Sequence, residues 1–386
     1  MSKNSGFRPT WAEINLNNLA FNFLSSKQFI GPGYKYMAVV KADAYGHNAV
    51  RCAHRLQAEG IDWFGVALPE EAVKLRNQGI TKPVLSLGGF WTGQEARIIS
   101  HNITPVVYEL EKAMALNSVS QRHGRITPIH IKIDTGMGRI GVRYEAFTEF
   151  IDKILELKNL RIEGLMTHFA AADNLSETAF TNLQISRFNA ALKSLTDRGV
   201  NPEFVDLANS PGAIAHPASR GNLVRLGGIL YGIQKDVLPP ECPKPELRPV
   251  LSLFSRVSLL KSLPPGESIG YSRTYFTSRT TAIASVPIGY QDGMPRSLSN
   301  RCSVLIKGRF APIVGRISMD WMLLDVTDIP DVKLNDLVTI IGTDGDSRIE
   351  VEELAAKANT IAYEFTCGIH ERVRKKYVGS SKKSSV

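Results

Sequence analysis

The sequence is short of several things, and each shortage narrows what the protein can be. Its 386 residues include only four cysteines, Cys52, Cys242, Cys302 and Cys367, and no two stand at a paired or metal-type spacing. Neither a disulfide scaffold nor a cysteine-held metal centre is supported, and reduced thiols are expected. No apolar run approaches a membrane span, and nothing at the N-terminus resembles a signal segment. A cytoplasmic protein with no membrane partner is therefore expected. No short internal repeat points to a solenoid. Acid is missing from one region: residues 372–386 hold Arg372, Arg374, Lys375, Lys376, Lys382 and Lys383 without a single Asp or Glu. Those six account for most of the net charge of +9, leaving +3 elsewhere. The basicity reads as a solvated tail, disordered from Gly379 to Val386, and no aromatic interleaving makes it a nucleic-acid site.

What remains is an ordinary globular composition, 43% hydrophobic and long enough for two domains. From about residue 10 to residue 235, short apolar runs alternate with helix-like stretches. Eight runs read as strands: Met37–Val40, Trp63–Leu68, Pro83–Gly89, Ile103–Tyr108, Ile129–Asp134, Ile162–Phe169, Phe204–Ser210 and Leu223–Tyr231. Between them, Ala49, Cys52, Ala53 and Leu56 share a helical face, as do Phe188, Ala191, Leu192 and Leu195 in a helix expected to end near Gly199. Eight such units predict an α/β TIM barrel over residues 1–240, with its chemistry at the C-terminal ends of the strands. Pro239, Pro240, Pro243, Pro245 and Pro249 then crowd a stretch unsuited to helix or central strand, which marks a boundary. In residues 241–386 the runs Val250–Leu260, Thr281–Ile288, Ser303–Ile306, Ala311–Val326 and Leu337–Ile341 predict a mostly β domain, with one helical piece near Val351–Ala362.

The first candidate for chemistry is Lys41, where the apolar run Met37–Val40 stops and Ala42-Asp43-Ala44-Tyr45-Gly46-His47 follows. An amine beside apolar surface is harder to charge, so it can act as a nucleophile or base near neutral pH. From those residues alone, a lysine snorkelling at a strand end is the favoured reading. Strand five adds a second clue. In Ile129–Asp134 the isoleucines take one face, which turns His130, Lys132 and Asp134 toward a barrel interior. A buried lysine needs an acid partner, such as Asp134, or a modification. Glycines around Arg139 allow a tight turn that presents this arginine at the mouth, suited to gripping a carboxylate or phenolate. His168, Ser210, Arg225 and the Gly227-Gly228 pair all fall near the rim. Barrels commonly bind phosphate after strands seven and eight, and a phosphate site facing a strand-end lysine suggests pyridoxal phosphate linked to Lys41 as a Schiff base.

The segment Val40-Lys41-Ala42-Asp43-Ala44-Tyr45-Gly46-His47 resembles the cofactor-lysine motif of bacterial alanine racemases. Further matches follow in family order: Lys132 to Arg139, Glu163-Gly164 with Thr167-His168-Phe169, Ala208-Asn209-Ser210, Val224 to Gly227, Gly270-Tyr271, Gly289-Tyr290 with Asp292-Gly293, and Val314 to Asp320. The resemblance implies a homodimeric isomerase that interconverts L- and D-alanine through a pyridoxal phosphate aldimine, supplying D-alanine for peptidoglycan. Inversion needs bases on opposite faces of the cofactor. The resemblance implies Lys41 for one and Tyr271, from the partner subunit, for the other. A phenol's ordinary pKa of about 10 calls for help, here implied from His168 and Arg225. By the same resemblance Arg225 faces the pyridine nitrogen, where a guanidinium that keeps its proton makes a weaker electron sink and favours racemisation over transamination. Tyr45, Ser210 and Gly227 are implied to bind phosphate. Arg139 is implied to contact the cofactor and the substrate carboxylate, with Met319 and Asp320 contributed by the second subunit and Tyr290 in a supporting place. Lys132 resembles a lysine that some members carbamylate to steady Arg139.

Asn48 replaces a usual glycine, Ser318 stands where some members have cysteine, and Glu371 occupies a position that is tyrosine in some members. Glu371 receives no role. A serine or broader-specificity racemase of the same fold is an alternative. So is a fold-related decarboxylase, though that chemistry wants an acid at the pyridine nitrogen, where Arg225 stands.

Overall fold

The computed structural model describes residues 6–379 and contains two compact units, one of Leu19–Arg248 and one joining the chain up to Asn18 with Pro249 onward. In the first unit all eight expected strands are present: β1 Lys35–Val39, β2 Trp63–Val66, β3 Val84–Ser86, β4 Thr104–Val107, β5 Thr127–Asp134, β6 Leu160–Met166, β7 Phe204–Asp206 and β8 Leu223–Leu226. They run parallel in chain order, and β8 returns to pair with β1, Arg225 opposite Met37. Between β7 and β8 the seam is held by Asn222 N–H to the Val205 carbonyl at 3.0 Å and Arg225 N–H to the Ala208 carbonyl at 3.0 Å. The result is a nearly closed TIM-like barrel. The helix Thr178–Thr196 ends where expected, and Gly199 at φ 77° turns the chain out of it.

Alternation along each strand decides what fills the barrel. Met37, Trp63, Leu85, Val106, Met166, Phe204 and Leu223 pack into one interior cluster. Strand β5 supplies His130 instead, its ring 5.5 Å from that of Trp63 and 5.8 Å from that of Phe204. Space for the imidazole comes from Gly164 on β6, where a Cβ would stand 2.5 Å from the ring. Burial pushes the His130 pKa down to about 3, so the ring is neutral.

The second unit is mostly β. Its main sheet runs Arg309–Pro312, Ser303–Ile306, Leu337–Asp344, Leu251–Arg256, Trp11–Asn15 and Arg374–Val378. A smaller sheet joins Leu259–Leu263, Thr281–Val286 and Met322–Asp325, and the helices Val351–Lys357 and Ala362–Cys367 follow. Two expectations need correction here. The N-terminal residues do not belong with the barrel: Trp11–Asn15 buries Ala12 and Ile14 by pairing antiparallel with Leu251–Arg256. The basic stretch after residue 372 is not a solvated tail throughout. Arg374–Val378 is a strand parallel to Trp11–Asn15, and the Lys376 ammonium lies 4.0 Å over the Trp11 ring. Gly379 is described, while Lys382, Lys383 and the rest of the expected disordered end lie outside the described residues. No helix among those residues is long and apolar enough to cross a membrane.

Arg372 also has a structural task. With Arg8 it clamps the fully buried Asp292 carboxylate, at 2.7 Å from Arg372 Nε and 3.0 Å from Arg8 Nη1. The Gly289 amide donates to the same group at 2.9 Å. Burial alone would raise the Asp292 pKa, but the two guanidinium groups and the amide hold it below the ordinary value. Asp292→Ala leaves these donors without their acceptor and should cost about 3–5 kcal/mol, the range for breaking a buried ion pair. Chemical denaturation followed by tryptophan fluorescence checks this. An unchanged midpoint would show that the clamp contributes nothing.

Candidate active site

Lys41 lies just past the end of β1, which stops at Val39. The backbone that follows is unusual: Ala42, Asp43, Ala44 and Tyr45 all sit at positive φ, 51°, 51°, 56° and 54°. A left-handed turn costs roughly 1–2 kcal/mol for each non-glycine residue. Several bonds offset that strain. The Ala42 amide donates to Glu71 Oε1 at 2.7 Å, the Ala44 amide to the Val40 carbonyl at 2.9 Å, and the Ala49 amide to Asp43 Oδ1 at 3.1 Å. The Tyr231 hydroxyl donates to the Val39 carbonyl at 2.8 Å, and its ring lies 5.0 Å from that of Tyr45. Lys41 is thus carried on a strained but well-tied loop.

The turn delivers the Tyr45 hydroxyl to the ends of β7 and β8. Ser210 opens the short helix after β7, capped by the Asn209 side chain, which accepts from the Gly212 amide at 3.1 Å. Gly227 follows β8, and its amide donates to Ser210 Oγ at 2.8 Å. A Cβ at Gly227 would stand 3.2 Å from Tyr45 Oη and 3.8 Å from Ser210 Oγ. Two hydroxyls and an amide converge on space that only glycine leaves open, which suits a phosphate group.

Arg225 forms the centre of the mouth. Its guanidinium is 2% exposed and ion-pairs with the fully buried Asp206. Nη2 donates to the Thr167 carbonyl at 3.0 Å, the Leu207 carbonyl at 3.1 Å and His168 Nδ1 at 3.3 Å. Burial drives the His168 pKa well down, reinforced by Arg225, Lys132, Arg139 and Lys41. The imidazole is therefore neutral, and with Nδ1 accepting, its proton sits on Nε2.

Lys132, on β5, is buried as expected, and burial lowers its pKa to about 7, helped by Arg225 and Arg139 and opposed by Asp206. Asp134 is not the partner that the strand pattern offered. Its Oδ1 accepts from the Gly136 and Gly138 amides at 3.0 Å each, and Oδ2 meets Arg143 at 3.3 Å. Asp206 is the acid acting on Lys132 instead. Arg139 is exposed after the glycine turn. Lys41, Tyr45, Lys132, Arg139, His168, Ser210, Arg225 and Gly227 therefore all belong to the barrel, at or just beyond strand ends.

The other named residues belong to the second unit. Tyr271 is 69% exposed, Met319 49% and Tyr290 42%. Their loops abut: the Tyr290 amide donates to the Ser318 carbonyl at 3.0 Å, and a Cβ at Gly270 would lie 3.0 Å from the Arg316 nitrogen. Asp320 pairs with Arg372 at 2.5 Å, and Glu371 is exposed. Sequence reading missed Asp206 and Glu71. Alternation could have exposed Asp206, since Phe204, two residues earlier, faces the interior. Glu71 carries the signature of a capping residue at the third position of the helix Pro69–Asn77.

A parallel barrel with a lysine beyond its first strand and hydroxyls converging beyond its last two has the layout of barrel enzymes, which gather their chemistry at the C-terminal strand ends. Family models described as alanine racemase, N-terminal domain, and alanine racemase, C-terminal domain, match residues 14–235 and 250–377. An alanine racemase of Halothermothrix orenii is 42% identical across 96% of this chain and 97% of its own length. An alanine racemase structure from Clostridium difficile 630 superposes with a TM-score of 0.89 at 37% identity, covering 96% of each chain. Another, from Bartonella henselae with covalently bound pyridoxal phosphate, gives 0.86 at 28% identity over 96% of this chain and 99% of that one. The chain belongs to the alanine racemase family.

The Lys132 amine gives this site a pH signature. Its folded pKa of about 7 lies below the ordinary 10.5, so between those values the unfolded chain holds a proton that the folded chain lacks. Stability contributed by this group therefore rises with pH through that window and is flat on either side. In buffer free of carbon dioxide, Lys132→Met should remove that part of the slope in urea midpoints measured from pH 6 to 11. Equal slopes would contradict the assignment.

Proposed function

We propose that this chain interconverts L- and D-alanine as a pyridoxal-phosphate-dependent homodimer in the cytoplasm, supplying D-alanine for peptidoglycan. The observation that carries the reading is Arg225, a buried guanidinium bonded to His168 in the barrel mouth that also receives Lys41. The residues suit the cofactor: the Tyr45, Ser210 and Gly227 cradle fits its phosphate, and the excess of cations at the mouth fits its charge. When bound, the cofactor supplies the electron sink that lets an amino acid release its Cα proton.

The chain's own groups do the rest. Lys41 is the covalent anchor, and its Nζ takes or returns a proton on one face. The Tyr271 phenol acts on the other face. Its exposure, together with that of Tyr290 and Met319 on neighbouring loops, supports donation of this set to a second copy's site. His168, neutral and protonated on Nε2, has a hydrogen bond to give toward that phenol. Arg225 donates without surrendering its proton, which keeps a ring nitrogen unprotonated. Arg139 holds the substrate carboxylate, and Met319 and Asp320 are contributed by the second subunit. A carbamate on Lys132 would turn its repulsion of Arg139 into attraction.

Chiral chromatography after incubation with a panel of L-amino acids tests the substrate. Alanine should invert fastest; failure to invert alanine while serine inverts would replace this reading. Tyr271→Phe should lower the rate by about 10²–10⁴-fold, the usual weight of a general base, while retaining the visible cofactor band. Lys41→Ala should lose both band and turnover, and a band that survives would remove Lys41 as the anchor.

A further inference from the structure

Asp206 is absent from every motif that the function absorbs, yet it is the counter-ion of the group at the centre of the mouth. It ends β7 and is 0% exposed. Its Oδ1 accepts from Arg225 Nη1, which also reaches the Asp206 carbonyl at 3.4 Å, while Oδ2 is buried without a hydrogen-bond partner. The other terminal nitrogen, Nη2, is taken by the Thr167 and Leu207 carbonyls and His168 Nδ1. A guanidinium carries five N–H donors, four on the two Nη atoms and one on Nε. Both Nη atoms are thus engaged by protein acceptors, and the Nε–H is left as the donor without one among the described residues.

We propose that Asp206 is a positioning residue: its carboxylate fixes the roll of the Arg225 guanidinium so that Nε–H is the donor presented to the cofactor's ring nitrogen. This rests on the reading that the mouth binds pyridoxal phosphate. Without the carboxylate, a planar fork held only by carbonyls and an imidazole is free to turn another edge toward the mouth. Charge supports the same assignment. Arg225 on β8 and Lys132 on β5 both act on Asp206 favourably, whereas its burial works against the anion and holds its pKa up, at about 6. A carboxylate kept in so costly a place is spent on its partner.

The test uses the full-length protein, pyridoxal phosphate itself and four forms: the parent, Asp206→Asn, Arg225→Gln and the double variant. Cofactor affinity is read by equilibrium titration of the visible band, beside thermal stability without cofactor. Asp206→Asn keeps the shape and one acceptor but loses the charge. It should weaken cofactor binding at least about tenfold, a shift of ~1.4 kcal/mol, and move the band maximum. In the Arg225→Gln background the same change should alter affinity less than about twofold, since it acts through the arginine. Equal affinity and an unshifted band in Asp206→Asn, or an equal loss in both backgrounds, would overturn the proposal. A stability loss with affinity and band intact would assign Asp206 to folding alone and overturn it too. Should Asp206→Asn fail to fold, Asp206→Glu, which keeps the charge on a longer stem, replaces it with the same expectations. A parent that binds no cofactor would instead refute the underlying reading.

Discussion

The structure depends on how positive charge is held inside a barrel. Arg225 is almost wholly withdrawn from water, and a lone buried guanidinium would be prohibitive. Asp206, two carbonyls and the neutral His168 make it tolerable, and the consequences spread across the mouth. Burial, reinforced by the charge of Arg225, keeps His168 neutral and holds Lys132 near the edge of deprotonation. A mouth with that balance favours an anion, and the Tyr45, Ser210 and Gly227 cradle stands where one would be received.

A second constraint is mechanical. Four consecutive non-glycine residues in left-handed conformation would not persist in a free loop. Here they join β1, tied down on one side by the Tyr231 hydroxyl, to a turn gripped by Glu71 and Asp43. The strain places Lys41 and Tyr45 on the same short segment, the proposed anchor at one end and the proposed phosphate contact at the other. A rigid parallel barrel makes that arrangement affordable, because its strands have nowhere to relax.

Much of this was legible in the chain. Short apolar runs separated by helical patterns are what strands buried on both faces must look like, so all eight barrel strands could be marked. The inward turn of His130 and Lys132 followed from alternation alone. Long-range pairing was not legible. Trp11–Asn15 is too short to declare itself, and it becomes a strand because Leu251–Arg256 and Arg374–Val378 flank it. The same distance hid the role of the C-terminal cations: Arg372 and Lys376 look solvated until Asp292 and Trp11 are brought beside them. The left-handed turn was also invisible, since its strain is resolved by Glu71 and by backbone partners rather than by a local glycine. Asp206 was overlooked although it shares the inward face of its strand with Phe204, because its partner Arg225 lies on another strand and only the closed barrel brings the two together.

The most direct measurement concerns Lys41. Borohydride reduction of the protein loaded with pyridoxal phosphate, followed by peptide mass spectrometry, should place a single phosphopyridoxyl group on the peptide containing Lys41. A label on Lys132 or another lysine, or no stoichiometric label, would contradict the assignment of Lys41 as the residue around which the site is built.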